Sequence, residues 1–426
     1  MIETLPGFRE FYPEACRERW AFFEKWREVA RRFGFEEFDP PLLEPLELFT
    51  QKSGEEIVGQ LFAFQDRGGR QVALRPETTP SLVRFVAARN SVLRKPVKWF
   101  NITENFRYER PQKGRLRSFF QFNADILGEA STGADAELVA LAIDSFRIFG
   151  LGVEDFYVRL SDRRWWVIFL KKWGIEDPDE IQTYLAILDK WERRSTESIG
   201  QTLEKQMGDP KRAKDFMEAV QVFRSQERLE GIQKFLDSSD PCFDEWHRWQ
   251  ETMSAMGYEE YVKIDLGIVR GLAYYTGFVF EIFGKSGRAL AGGGRYDGLM
   301  QKLCGVGMAA VGFAAGDVTL REILIQKNKL PVSVPHWDAF VVAHESVWHE
   351  AVRDVQRLRE AGYAVLWSLA PIPVSKQFTK AFQSPVRWVV FYGPDEMREG
   401  RLQIQRKEGS VKEWIDRGEL ISRLKN

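Results

Sequence analysis

Cysteine and histidine are both scarce in this chain of 426 residues: Cys16, Cys242 and Cys304, and His247, His336, His344 and His349. The three thiols are far apart and match no CxxC or metal-ligand spacing. That argues against a disulfide framework and suits a reducing compartment. None of the four histidines lies in the motif-bearing segments below, so a Ser-His-Asp or Cys-His mechanism and a His-rich metal centre are not expected. No stretch approaches 18 apolar residues, and no basic segment followed by an apolar run opens the chain. A soluble cytoplasmic protein without a membrane span is expected. Charge of one sign is lacking too. Lys and Arg total 61 against 62 for Asp and Glu, so any nucleic-acid site must be a local patch.

The apolar fraction of 44% is ordinary for a globular chain, and the length suits two or three domains. With 14 Trp and 32 Phe, aromatic-rich cores are expected. The most informative stretch is residues 106–125. Arg107, Arg110, Lys113, Arg115 and Arg117 crowd around a turn at Pro111 and Gly114, between the apolar runs Trp99–Ile102 and Phe119–Phe122. This reads as an antiparallel hairpin whose basic tip could hold a polyphosphate, since guanidinium groups bind phosphate oxygens bidentately. Glu109 and Asp125 on the flanks could read amino groups.

Three further segments carry chemistry. Arg75-Pro76-Glu77-Thr78-Thr79-Pro80 follows a strand and opens a helix, with Glu77 placed to hold an ammonium group. Val269 to Gly277 sets Arg270, Tyr274 and Tyr275 between glycines, which permit close backbone approach to a ligand. Gly292 to Gly298 invites a phosphate-loop reading but fits neither GxxxxGK[ST] nor GxGxxG. A site of arginines, carboxylates and orienting polar groups suits phosphoryl or nucleotidyl chemistry, where positioning and charge stabilisation dominate.

Helical periodicity marks residues 14–32, 78–88 and 134–149. Residues 35–43, with Pro40-Pro41 inside, read as an edge or interface strand. Residues 163–258 read as a helical insertion. Strand-like runs resume at 262–268, 279–283 and 289–291. Residues 328–335 look like a linker. Beyond it, strands at 340–343, 363–367 and 388–392 alternate with helices at 346–361 and 374–383, implying a small α/β domain with a partly parallel sheet.

Taken in order, the segments resemble the histidyl-tRNA synthetase family of class II aminoacyl-tRNA synthetases over nearly the whole chain. Leu5 to Pro13 resembles its N-terminal signature, Phe35 to Glu44 motif 1, Phe106 to Asp125 motif 2, and Arg270 to Tyr275 the histidine-specific motif. The resemblance implies an α+β fold: a class II antiparallel sheet flanked by helices, with a helical insertion and a C-terminal α/β anticodon-binding domain. The implied division is 1–162 and 259–327 for the catalytic core, 163–258 for the insertion, 328–335 for the linker and 336–426 for the anticodon-binding domain. It implies activation of L-histidine with ATP to histidyl-adenylate, then transfer to the 3′ end of tRNA(His). Arg107 and Arg270 would be catalytic. Glu77, Thr78, Thr79, Gln121, Asp125, Tyr274 and Tyr275 would bind histidine. Arg107, Glu109, Arg115 and Phe119 would bind ATP, while Gln112, Lys113 and Arg117 would face the tRNA acceptor end. Mg²⁺ should accompany ATP on the phosphates rather than sit in a protein cage, and motif 1 implies a homodimer. The alternative is the related non-catalytic regulatory subunit of ATP phosphoribosyltransferase.

The sequence departs from the family pattern at three places. Ala273 stands where an acid usually precedes the tyrosine pair, and Asp125 where a longer carboxylate is usual. In Val311–Gly316 followed by Asp317-Val318-Thr319, the motif 3 arginine falls at Thr319. Arg115, Arg295 and Arg321 are the candidates to compensate.

Overall fold

Six long strands pair antiparallel, each with the next, to make the floor on which the rest is built. The computed structural model describes residues 2–53, 59–110, 112, 114–191, 194–269, 275–285, 287–331, 334, 336–407, 409 and 411–425. Across the large sheet the order is Glu36–Glu37, Val97–Phe106, Ser118–Leu127, Ala310–Gly316, Ala289–Arg295, Phe278–Gly284, Phe156–Asp162 and Val262–Ile264. Only the two short edge strands run parallel to their neighbours.

The expected basic hairpin is there. Val97–Phe106 and Ser118–Leu127 pair along ten residues, from Val97 opposite Leu127 to Phe106 opposite Ser118. The ladder continues into the loop through Arg107 N–H to the Arg117 carbonyl at 2.9 Å. Gln112 and Arg115 close the tip with mutual backbone bonds, and Gly114 takes a positive φ of 77° beside them. Side chains alternate across a strand with period two. Phe122, Ala124 and Ile126 therefore enter the core with Trp26 and Phe146, and Gln121, Asn123 and Asp125 face a cavity.

Helices Pro13–Arg32 and Thr132–Arg147 supply Phe22, Phe23, Trp26, Leu138, Leu141 and Ile143 to that core. Between Arg163 and Ala255 the described residues form six helices. Trp165, Trp166, Phe169, Phe216 and Phe223 are buried among them, which accounts for much of the aromatic content.

Three strand readings need correction. Residues 35–43 do not form one strand. Glu36–Glu37 joins the large sheet, and Leu43–Pro45 joins a separate three-stranded sheet with Gln71–Leu74 and Ala63–Gln65. Pro40 and Pro41 lie between them and cannot donate to a ladder. The strand expected over 262–268 stops at Ile264. The run Gly292-Gly293-Gly294 is no loop but the middle of strand Ala289–Arg295.

Met1–Tyr12 and Glu18–Pro331 form one unit, and Pro13–Arg17 with Val332–Asn426 form a second. In the second, Val365–Trp367, Trp337–Ala343 and Val386–Tyr392 are parallel, and Arg401–Arg406 and Lys412–Asp416 add antiparallel strands. Helices Trp348–Glu360 and Val374–Gln383 connect the parallel strands, as the sequence rhythm implied. No described helix is long and apolar enough to cross a membrane.

Candidate functional site

A cavity of about 1150 Å³ opens over the middle of the large sheet. Its floor is made of small residues, among them Ala291, Gly292, Gly312, Ala314 and Gly316. Its walls bring together most of the residues singled out from the sequence: Glu77, Thr79, Arg107, Glu109, Arg115, Phe119, Gln121, Asp125 and Tyr275. Three distant segments thus converge on one place.

At one end sits Asp125, 4% exposed. Tyr296 donates its hydroxyl to Asp125 Oδ1 at 2.6 Å. Burial, with the neighbouring carboxylate as the next cause, pushes the Tyr296 phenol well above its ordinary pKa, so it stays a donor. One carboxylate oxygen is thereby fixed. The floor leaves room for that carboxylate only because position 312 is glycine. A Cβ there would lie 1.8 Å from Asp125 Oδ1. Gly312→Ala is therefore expected to push Asp125 out of place at an overpacking cost of about 1–3 kcal/mol. The check is a lowered thermal midpoint together with lost binding of whatever ligand Asp125 reads.

Glu77 and Thr79 enter from the start of helix Thr79–Ala88, which is anchored by Leu82, Val83 and Val86 in a cluster with Tyr275 and Tyr296. Thr78 is placed differently: it is 1% exposed, does not line the cavity, and accepts a hydrogen bond from Asn101 Nδ2 at 3.3 Å. It belongs to a buried amide network in which Asn123 donates to Asn101 at 3.1 Å and Asn105 donates to Gln121 at 3.1 Å. That network holds Gln121 and Asn123 in position.

The other end is basic. Arg107 donates from Nε to the Pro76 carbonyl at 3.2 Å, and its guanidinium lies 5.3 Å from the Phe119 ring centre. Arg115 and Glu109 form a 2.6 Å ion pair, with Glu109 much the more buried. Arg117 is engaged outside the cavity, donating to the Glu109 carbonyl at 3.1 Å and lying 4.3 Å from the Tyr108 ring centre. Gln112 at the tip does not line the cavity either. Lys113, Arg270, Gly271, Leu272, Ala273 and Tyr274 lie outside the described residues; Val269 and Tyr275 on either side of the last five both line the cavity.

The N-terminal signature braces this basic loop. The Gly7 carbonyl accepts from the backbone N–H groups of Arg117 at 3.0 Å and Ser118 at 3.2 Å. Arg9 pairs with Asp317 at 2.7 Å, and the other Asp317 oxygen accepts from Phe120 N–H at 2.9 Å. The Asp317 that follows Gly316 is thus a fastening between the N-terminal segment, helix Asp317–Gln326 and the hairpin.

Of the three arginines offered in place of one at 319, Arg115 lines the cavity and the other two do not. Arg295 is buried against Asp135 at 2.9 Å. Arg321 pairs with Glu18 at 2.6 Å. Sequence reasoning missed Tyr296, Asn123 and Gly312. The signal for Tyr296 was its place two residues after the glycine run, at the end of the strand paired with Ala310–Gly316.

Comparison with known proteins follows the same lines. Residues 7–320 match the family model described as histidyl-tRNA synthetase, and residues 337–426 match an anticodon binding domain. A histidine–tRNA ligase of Opitutus terrae is 42% identical over 411 residues, covering 95% of this chain and 93% of the relative. The chloroplastic/mitochondrial histidine–tRNA ligase of Arabidopsis thaliana is 35% identical over 95% of this chain and 83% of its own. Among solved structures, a histidyl-tRNA synthetase from Nostoc sp. PCC 7120 superposes with a TM-score of 0.76 at 22% identity, covering 100% of this chain and 99% of that one. At that identity the likeness speaks for the fold.

Proposed function

The chain belongs to the histidyl-tRNA synthetase family and is an aminoacyl-tRNA synthetase that joins histidine to tRNA with the use of ATP, and from that premise we propose how its residues divide the work. The observation that carries the division is the polarity of the cavity, with a fixed carboxylate and phenol at one end and arginines at the other.

Asp125 reads the imidazole N–H, with Tyr275 and Tyr274 beside it. A buried acceptor that an apolar side chain leaves unpaired rejects competitors strongly. Glu77, Thr79 and Gln121 hold the α-amino group, and Thr78 supports them from the amide network. At the basic end, Glu109 accepts from the adenine amino group, Phe119 stacks on the ring, and Arg115 reaches the terminal phosphates. Arg107 and Arg270 neutralise charge as a histidine carboxylate oxygen bonds to the α-phosphorus. The bond from that phosphorus to the bridging oxygen breaks, and its electron pair leaves with pyrophosphate. The 3′-terminal ribose hydroxyl of tRNA then attacks the histidyl carbonyl carbon; the ester forms as the bond from that carbon to the phosphate oxygen breaks, AMP leaves with the electron pair, and the hydroxyl proton is released. Gln112 and Lys113 face the acceptor end, and Arg117 shapes the loop that carries them.

Glu281 in the cavity wall is a hard oxygen donor of the kind Mg²⁺ takes, and with the ATP phosphates it would hold the ion. The ion would spread the phosphate charge when bound. We further propose residues 1–162 and 259–327 as the catalytic body, 163–258 as an insertion in it and 336–426 as the anticodon reader. Two such chains would pair through the 35–44 segment, as sedimentation at micromolar concentration would report.

The test is pyrophosphate exchange into ATP with each amino acid in turn. Exchange is expected with histidine and with no other, and a metal chelator should abolish it. Histidine binding without exchange would instead favour the regulatory-subunit reading.

A further inference from the structure

We propose that Arg288, at the turn between strands Phe278–Gly284 and Ala289–Arg295, is a further phosphate-binding residue of this site and receives the departing pyrophosphate. The proposal rests on the reading above and names a residue that neither the motifs nor the comparisons singled out.

The placement follows from the sheet. Ala291 pairs with Ala315, and Gly316 pairs with Gln121. Gly287 and Arg288, the start of helix Asp317–Gln326, and Gly114 with Arg115 therefore share one end of three adjacent strands. They meet there. A Cβ built on Gly114 would lie 2.8 Å from Arg288 Nη1 and 3.8 Å from Thr319 Oγ1. Gly114, Arg115, Gly287, Ala289 and Thr319 line the cavity and Arg288 itself does not, so its guanidinium stands just outside the lining on the basic side. Gly284 N–H donates to the Arg288 carbonyl at 2.9 Å and pins the turn that presents it.

Arg288 is half-exposed and donates to Glu322 Oε2 at 2.8 Å. One such bond leaves most of the five N–H donors of a guanidinium available. Thr319 is uncharged, and Gly114 presents no side chain that would block approach to this corner. Arg288 supplies that charge from the neighbouring strand pair. As the bond from the α-phosphorus to the bridging oxygen breaks, negative charge grows on the pyrophosphate, and a fixed cation there stabilises it.

The experiment measures exchange kinetics for the unaltered protein, Arg288→Ala and, as a control, Arg321→Ala. Histidine-dependent exchange by the unaltered protein comes first; its absence would refute the functional reading itself. Given that exchange, Arg288→Ala is expected to raise KM for pyrophosphate, and lower kcat/KM for ATP, by about 10- to 100-fold. KM for histidine and inhibition by AMP, which lacks the outer phosphates, should stay within twofold, and Arg321→Ala should resemble the unaltered protein. Arg288→Ala with pyrophosphate and ATP constants within twofold of normal would overturn the proposal. An equal rise in the histidine and pyrophosphate constants would do the same, by showing a general structural effect.

Discussion

Arg107→Ala should slow histidine-dependent pyrophosphate exchange by about 10²- to 10³-fold, the loss typical of removing one donor aimed at developing charge. The magnitude follows from how the side chain is held. Arg107 lines the cavity floor-side of the hairpin, with Nε committed to the Pro76 carbonyl at 3.2 Å. Among the described residues no carboxylate pairs with it, whereas Arg115 is held by Glu109. Its charge is therefore available to a ligand, and its orientation is already set, so little reorganisation is needed at the moment of reaction. Arg107→Lys keeps the charge and loses the planar fork, and should recover only part of the rate. Unchanged folding, checked by thermal midpoint, with near-normal exchange in the Ala variant would show that the α-phosphate lies elsewhere.

Asp125→Ala should raise KM for histidine by about 10- to 100-fold, the value of a hydrogen bond to a charged group, while ATP binding changes little. Two observations argue for a loss at the upper end. Asp125 is almost wholly buried, and removing it leaves the buried Tyr296 hydroxyl without its 2.6 Å partner. Asp125→Asn keeps the shape and still accepts from Tyr296, so it should fall between the two. Steady-state exchange with histidine varied at saturating ATP, then the reverse, separates the two constants. A normal histidine KM in Asp125→Ala would remove Asp125 from imidazole recognition.

The basic hairpin was legible because its signals are local: alternation, a turn and a run of guanidinium groups within twenty residues. The C-terminal βαβ rhythm was legible for the same reason. What sequence hid was set by pairing partners. The three glycines of Ala289–Arg295 look like a loop in isolation, but Gly293 and Gly294 are small because neighbouring strands press on them. A Cβ at Gly293 would lie 2.1 Å from the Gly312 carbonyl oxygen, and one at Gly294 2.5 Å from that of Phe278. Arg401–Arg406 went unread because only Leu402 and Ile404 alternate inward among polar residues. Tyr296 gains its meaning only when register brings it to Asp125, 171 positions away.

The ion pair between Arg115 and Glu109 has one more consequence. Before nucleotide arrives, the two groups we assign to opposite ends of ATP hold each other. A ligand with phosphates can draw Arg115 away and so release the carboxylate that meets the base. A bare nucleoside has nothing to draw it with. Selection against adenosine would then arise not from a missing contact alone but from competition, in which the tail of the ligand unlocks the place for its head.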